Sequence, residues 1–516
     1  MNASEKVTIN TGIHYFRGAV TVGLSLYAVR LTLAALGAYD YGIFNLIAGM
    51  ISIFAFLNSA MTQSTQRFLA FYQGRQNIQM QKKVFSNSLL LHLIIGVLVV
   101  TLLECAGFFL INHFLNIPVS RLHVAGKVYQ CMCFAVFFSI ILMPFVSLLT
   151  AHENMLGIAV INTAEIILKL IAAALLFVTS RDRLMMFGVF TAAVSFLVFT
   201  ITAIYCMKRY TDCRISNPRH TDLPMMKELM AFAGWNLFGA LCSVARYEGL
   251  AILLNLFFGT VVNASFAISM QVAAQLNFLP INMLRSINPQ ITKSEGAGDR
   301  RRMIRLSLTA SKVGFFLMGL LAIPCIFEMP AILAIWLKDI PANTGLFCCL
   351  MLIAAQINQF TIGIQAALQA AGKIRIYQSL VGTLLLLNIP IAYFLLKTGS
   401  PPYGVLVSYA CIEVVACCTR FYLARKAFCL SASRFFFSVI RREVMPVVAS
   451  ITVCFLITHY SVISHRFILT FGCSTFIFLI TVYYTGLDTE ERRVIDRIFI
   501  TFRSKLYGYI LGSKNY

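Results

Sequence analysis

The sequence predicts an all-α protein that crosses a membrane many times. Three observations carry this. Hydrophobic residues make up 59% of the 516 positions and charged residues only 12%, against about 25% in a water-soluble domain. Mean hydropathy is +0.80. Apolar stretches long enough for a crossing, about 20 residues each, recur along the whole chain. The net charge of +22 would suggest nucleic acid in a soluble protein. Here it reads as basic loops facing anionic lipid headgroups, with no nucleic-acid partner.

Taken in order, the N-terminal "MNASEKVTINTGIHYFRG" lacks a short apolar core followed by small residues, so the first span is expected to be retained. Fourteen spans are expected, near 12–36, 41–62, 86–111, 128–150, 155–178, 184–207, 229–257, 260–285, 306–328, 343–370, 375–396, 403–424, 444–462 and 467–486. With the N-terminus inside, the inner connections hold 30 Lys and Arg. The one after span 12 contributes Arg420, Arg425, Lys426, Arg434, Arg441 and Arg442. The outer connections hold seven: Arg121, Lys127, Arg181, Arg183, Lys338, Lys397 and Arg466. This excess predicts both termini on the cytoplasmic side.

Residues 13–90 can be laid on 235–312 without a gap. The offset of 222 residues carries Gly37 onto Gly259, Ser64 onto Ser286 and Gly74 onto Gly296. Each copy reads as long span, tight outer turn ("GAYDYG", "GTVVNA"), long span, basic inner loop. Chance similarity among hydrophobic helices is the competing account. The expected organisation is an N-lobe of six spans (1–207), a basic cytoplasmic linker (208–228) and a C-lobe of six spans (229–424). A cytoplasmic loop (425–443), a helix pair (444–486) and a basic amphipathic cytoplasmic tail (487–516) follow. Two like halves in parallel topology suit alternating access around a midplane site.

Ionisable groups within spans mark function or a buried partner. Arg17, Arg30, Lys169, Arg246 and Lys312 are the basic ones. Glu104, Glu165, Glu248 and Glu413 lie within or near the spans. Glu165 and Lys169 are one turn apart and can pair on one face. Their roles are either mutual neutralisation or gating and proton coupling. Arg246 and Glu248 point about 200° apart, so each needs a partner elsewhere; Arg30 and Glu248 are expected to meet. Arg17 and Lys312 lie near inner ends, where snorkelling is the default. Two polar stripes follow helical spacing: Asn45, Ser52, Ser59 and Gln63 in span 2, and Gln271, Gln275, Asn282 and Ser286 in span 8. They line a cleft or hydrogen-bond neighbouring helices. Pro280 and Pro144 are candidate hinges. The fifteen cysteines have no zinc-site spacing, so neither metal nor cofactor is expected. Without paired carboxylates, an Asp-x-Asp pair or a Walker A sequence, the chain does not read as an enzyme.

With "RLTLAALGAYDYGIFNLIAGM" in spans 1–2 and "ARYEGLAILLNLFFGTVVNASFAISMQVAAQLN" in spans 7–8, the chain resembles the bacterial polysaccharide flippases. These are the Wzx-type branch of the multidrug/oligosaccharidyl-lipid/polysaccharide exporter superfamily. "LGxxxYGxFN" is the most specific motif. The resemblance implies two six-helix lobes in a V in the bacterial inner membrane. It implies an undecaprenyl-diphosphate-linked oligosaccharide flipped from inner to outer leaflet for O-antigen or related lipopolysaccharide synthesis. Coupling to protons or sodium, and partners such as a polymerase and glycosyltransferases, are compatible with it. By location, Arg17, Arg30 and Arg246 would bind the diphosphate, since guanidinium forks suit phosphate oxygens. The alternative is a cation-coupled multidrug antiporter of the same superfamily.

Overall fold

A computed structural model describes residues 24, 27–37, 39–49, 55–109, 118–213, 222–337, 339–460, 466–493 and 496. Arg17, Ser52, the linker positions 214–221 and nearly all of the tail beyond 493 lie outside the described residues. Within them the chain is helical throughout. The helices are α1 (Tyr27–Gly37), α2 (39–49), α3 (Ala55–Gly74), α4 (Ile78–Phe109), α5 (Val119–Ala151), α6 (Met155–Val178) and α7 (Arg183–Arg209). They continue as α8 (Leu223–Phe258), α9 (Thr260–Gly296), α10 (Arg300–Phe327), α11 (Met329–Trp336), α12 (Thr344–Gln359) and α13 (Ile362–Ala370). The last four are α14 (Ile374–Lys397), α15 (Tyr403–Phe428), α16 (Arg441–Tyr460) and α17 (Arg466–Thr481). Among the described residues ten helices are long and apolar enough to cross a membrane, or eleven if α12 and α13 form one bent span.

Local sequence explains where helices begin. Asn154 caps α6 by accepting from the Gly157 amide, and Asp182 caps α7 by accepting from the Met185 amide, each satisfying one orphan donor of the first turn. The two turns that the repeat offset pairs share a backbone device. Gly37 has φ +76° and Gly259 has φ +81°, a region that glycine enters without steric cost. The same offset links the basic turns: Gln76 (φ +55°) corresponds to Gly298 (φ +77°). Both copies therefore turn left-handed at the same two places.

The chain divides into two units. The first comprises 12–240 together with 292–299, and the second 241–291 with 300–516 and the N-terminal eleven positions. The first unit thus includes the start of α8 and the end of α9. Its core joins Ile43, Ile47, Val99, Leu103, Val128 and Leu184. In lipid, helices gain no hydrophobic energy by meeting, so close van der Waals contact must hold them. Gly188 supplies it: a Cβ there would lie 3.3 Å from Val128 Cα, so α5 and α7 approach closely.

The second unit is built around α9, α10, α13, α14 and α15, with Met283, Ile287, Leu308, Ile364, Val381 and Ala416 in its core. Gly363 fixes the bend between α12 and α13. A Cβ there would fall 1.9 Å from the Ser307 carbonyl oxygen, and the Gly363 amide donates to Ser311 Oγ at 3.1 Å. The start of α13 is thereby seated on the α10 backbone, and the helix axis turns by 44°. α5 and α9 run unbroken through Pro144 and through Pro280 and Pro289. The sharp bend lies at Phe360–Thr361, where there is no proline.

Candidate functional site

The strongest concentration of buried charge is in the second unit, on α8 and α15. Tyr409, Glu413, Cys417 and Arg420 recur at three- and four-residue steps, so they share one face of α15. Arg246 on α8 reaches this face. Its Nη2 lies 2.8 Å from Glu413 Oε1, with both side chains 3% exposed, and donates to the Tyr409 hydroxyl at 2.7 Å. The guanidinium sits 3.9 Å from the Tyr409 ring centroid and 5.3 Å from that of Tyr247. Tyr409 donates in turn to the Tyr247 hydroxyl at 2.8 Å. Carboxylate, two aromatic faces and two phenols surround one cation.

About two turns beyond Glu413 on α15, Arg420 is also buried. Its Nη1 donates to Asn358 Oδ1 and to Thr361 Oγ1, each at 3.2 Å. Both partners flank the α12–α13 bend. The bend is polar on other sides too: Gln359 Nε2 donates to Asn277 Oδ1 of α9 at 3.0 Å. A broken helix whose freed backbone is surrounded by polar side chains is a recurring transporter element. Arg246 Nε and Nη1, Arg420 Nε and Glu413 Oε2 make no hydrogen bond. The network has hydrogen-bonding capacity in reserve.

Several expectations need correcting. Arg246 is not open but buried, and it is paired with Glu413. Arg420 is not a loop residue but a buried helical one. Lys312 does not snorkel: it is 1% exposed, and its Nζ lies 2.6 Å from Glu491 Oε2 and 3.5 Å from Asp488 Oδ2. Those carboxylates belong to the turn after α17, where the Asp488 amide also donates to Glu491 at 2.8 Å, half of a capping box.

Arg30 is exposed in the first unit and Glu248 in the second; among the described residues neither has an ion pair within its own unit. Lys169 Nζ donates to Glu165 Oε1 at 2.7 Å on an open surface of α6. Asn45, Ser59 and Gln63 are exposed, as are Gln271 and Gln275. Asn282 and Ser286 are buried and bond back to the carbonyls of Phe278 and Asn282 on their own helix, so the exposed stripe of α9 ends at Gln275. Exposed amides in apolar helices are costly against hydrocarbon, which favours water beside them.

Sequence reasoning saw Arg246 and Glu413 but did not join them, and it missed Arg420 and the bend. The available signal was the stripe Tyr409–Glu413–Arg420 and the polar run "QINQFT" inside an apolar stretch.

No family profile and no curated protein matches the sequence. Solved structures do match over most of both chains. A MATE protein in the straight conformation superimposes with TM-score 0.68 at 15% identity, covering 83% of this chain and 97% of that one. The chain has the MATE fold. An outward-facing multidrug resistance MATE family transporter of the MOP superfamily gives 0.67 at 13%, over 83% and 95%. A MOP superfamily transporter from Pyrococcus furiosus, described by the reverse polarity of its binding pocket, gives 0.66 at 15%, over 84% and 96%. At such identities the MATE likeness is one of architecture. Among the described residues no group of three or more His, Cys, Asp or Glu is placed to hold a metal ion.

Proposed function

We propose that the protein is a membrane transporter that works by alternating access, and that its substrate carries a hydroxyl-rich head. The carrying observation is the pair of exposed, uncharged polar stripes, Asn45–Ser59–Gln63 and Gln271–Gln275, on spans that occupy equivalent places in the repeat, although the residues themselves do not align. Such groups exchange hydrogen bonds with sugars without demanding a charge. Arg30, exposed and, among the described residues, without an ion pair in its unit, supplies a cation for a phosphate. The substrate that fits is an undecaprenyl-diphosphate-linked oligosaccharide, flipped outward across a bacterial inner membrane. The buried Arg246–Glu413–Arg420 network then acts as a conformational or coupling element rather than as the phosphate site.

A second reading is a cation-coupled multidrug antiporter. The likeness to a multidrug resistance MATE family transporter favours it over lipid-linked oligosaccharide transport, and Glu248, an exposed carboxylate on α8, is its chemical handle. The purified protein in vesicles separates the two. Translocation of a fluorescent lipid-linked oligosaccharide, reduced at least about tenfold by Arg30→Ala, supports the first reading. Extrusion of a lipophilic cationic dye that depends on Glu248, with no lipid translocation, replaces it by the second.

A further inference from the structure

Lys312 has a further acid near it. Glu443, in the first turn of α16, is 2% exposed. Among the described residues neither of its carboxylate oxygens accepts a hydrogen bond. The charge acting on it is the Lys312 ammonium of α10. That ammonium is already engaged, donating to Glu491 at 2.6 Å and to Asp488 at 3.5 Å. Thr309 of α10 donates to the other oxygen of Glu491 at 3.2 Å. Arg442, the neighbour of Glu443 in sequence, pairs with Asp488 and donates to the Leu487 carbonyl at 2.8 Å. The turn 487–491 is thus seated by two cations, Lys312 and Arg442, which its own two acids occupy. Glu443 is the third acid and is left without a partner. An ionised carboxylate that is sealed from water and unbonded is very costly, and such a group escapes the cost by holding a proton.

The surrounding charges are engaged elsewhere. Arg305 of α10 pairs with Glu490 at the exposed rim, and Arg441 of α16 lies over the Phe437 ring. Past α17, Tyr483 donates to Asp496 and Arg492 donates to the Tyr484 carbonyl. The stretch 436–440 and the last two turns of α17 carry no ionisable side chain. The seat is also uneven in its access to water. Asp488 is 46% exposed and Glu491 20%, so the acids of the turn can return to water. Lys312 and Glu443 cannot, and a buried ammonium that loses its partners needs another counter-charge. If the turn lifts away, Glu443 is the buried acid at hand.

We propose that Glu443 is a proton-binding site linked to the seating of residues 487–491 on α10, neutral while the turn is docked and ionised when it lifts. On lifting, the Glu443 O–H gives its proton to water and the carboxylate becomes the counter-ion of Lys312; docking takes one proton back. Because the docked form carries the extra proton, docking is favoured at low pH and weakens as pH rises, by at most about tenfold per pH unit. The amides of Leu487, Asp488 and Arg492 are hydrogen-bonded in the docked turn. Their opening is followed by hydrogen exchange of the full chain in nanodiscs, read by mass spectrometry in a peptide covering 484–493 and corrected for the intrinsic rate at each pH. The measurement needs no substrate. From about pH 5 to about pH 8, corrected exchange in this peptide is expected to rise by about tenfold or more, with a peptide over 362–370 level. Glu443→Gln, the uncharged shape of the docked acid, removes the rise and holds exchange at its low-pH value. Glu491→Gln takes away the chief partner of Lys312, so Glu443 ionises already at low pH; exchange starts about tenfold above the parent at about pH 5 and climbs no further. This second variant decides the matter if Glu443→Gln does not fold. A parent whose corrected exchange does not change with pH, a rise shared by the 362–370 peptide, or a variant at either acid that keeps the parent's slope overturns the proposal.

Discussion

Two arginines show how one chemistry serves two purposes. Arg246 in the second unit is sealed in, 3% exposed against a carboxylate equally buried. Arg121 in the first unit is 31% exposed and shared between Asp40 and Asp182. Burial raises the Asp40 carboxyl above its ordinary range, Arg121 pulls it back and Asp182 pushes it up again, so two acids compete for one guanidinium. The open clamp joins the starts of α2, α5 and α7: Asp182 also caps α7, and Arg183 reaches the Ala35 carbonyl at 3.1 Å. In water such pairs are individually weak. The sealed pair is different, because removing one partner strands a charge where nothing solvates it.

The largest expected effect follows from stranding. Glu413→Gln should destabilise the protein by about 3–5 kcal/mol, read as a lowered melting temperature of the detergent-purified protein. Arg246→Met combined with Glu413→Leu should recover most of that loss. A double variant as unstable as the single one would show that packing, not the unpaired charge, sets the cost. Arg420→Met should come next. It frees Asn358 and Thr361 at the bend, for about 1–3 kcal/mol; no loss of stability would mean that the bend is held by Gly363 alone. Arg121→Ala should cost about 1 kcal/mol or less, and the difference from the parent should shrink as salt is raised. A salt-independent loss of several kcal/mol would erase the distinction between clamp and sealed pair. Lys169→Ala, on an open helix face, should change stability by no more than about 0.5 kcal/mol.

The sequence reader's success and failure divide along the same physical line. Hydropathy is a property of one segment, so the spans from 155–178 to 467–486 overlap helices closely. The demand that Arg246 find a partner was legible because an unpaired cation in lipid is costly. The identity of that partner was not, since helical periodicity relates residues within α15 but says nothing of what α8 brings beside it. Arg420 was hidden by its neighbours: Arg425 and Lys426 give that end of α15 the composition of a loop. The repeat was legible at Gly37 and Gly259 but disguised at its second turn, where glutamine in one copy adopts the conformation that glycine adopts in the other. The bend at Phe360–Thr361 carries neither proline nor glycine at its centre; the backbone of α10, which shapes it through Gly363, is distant in sequence.

The ammonium of Lys312 and the acid Glu491 are 179 residues apart. A ribosome adding about 5–20 residues per second needs roughly 10–35 s to cover that distance. Through that interval α10 is already made while its ion-pair partners Asp488 and Glu491 do not yet exist. The second unit therefore cannot reach its final packing in step with synthesis; it must wait until residues 488 to 491 emerge. A ribosome that stops before residue 487 leaves behind a protein with nearly all of its spans but a buried ammonium lacking both ion-pair partners, a distinction available to the membrane's quality-control proteases.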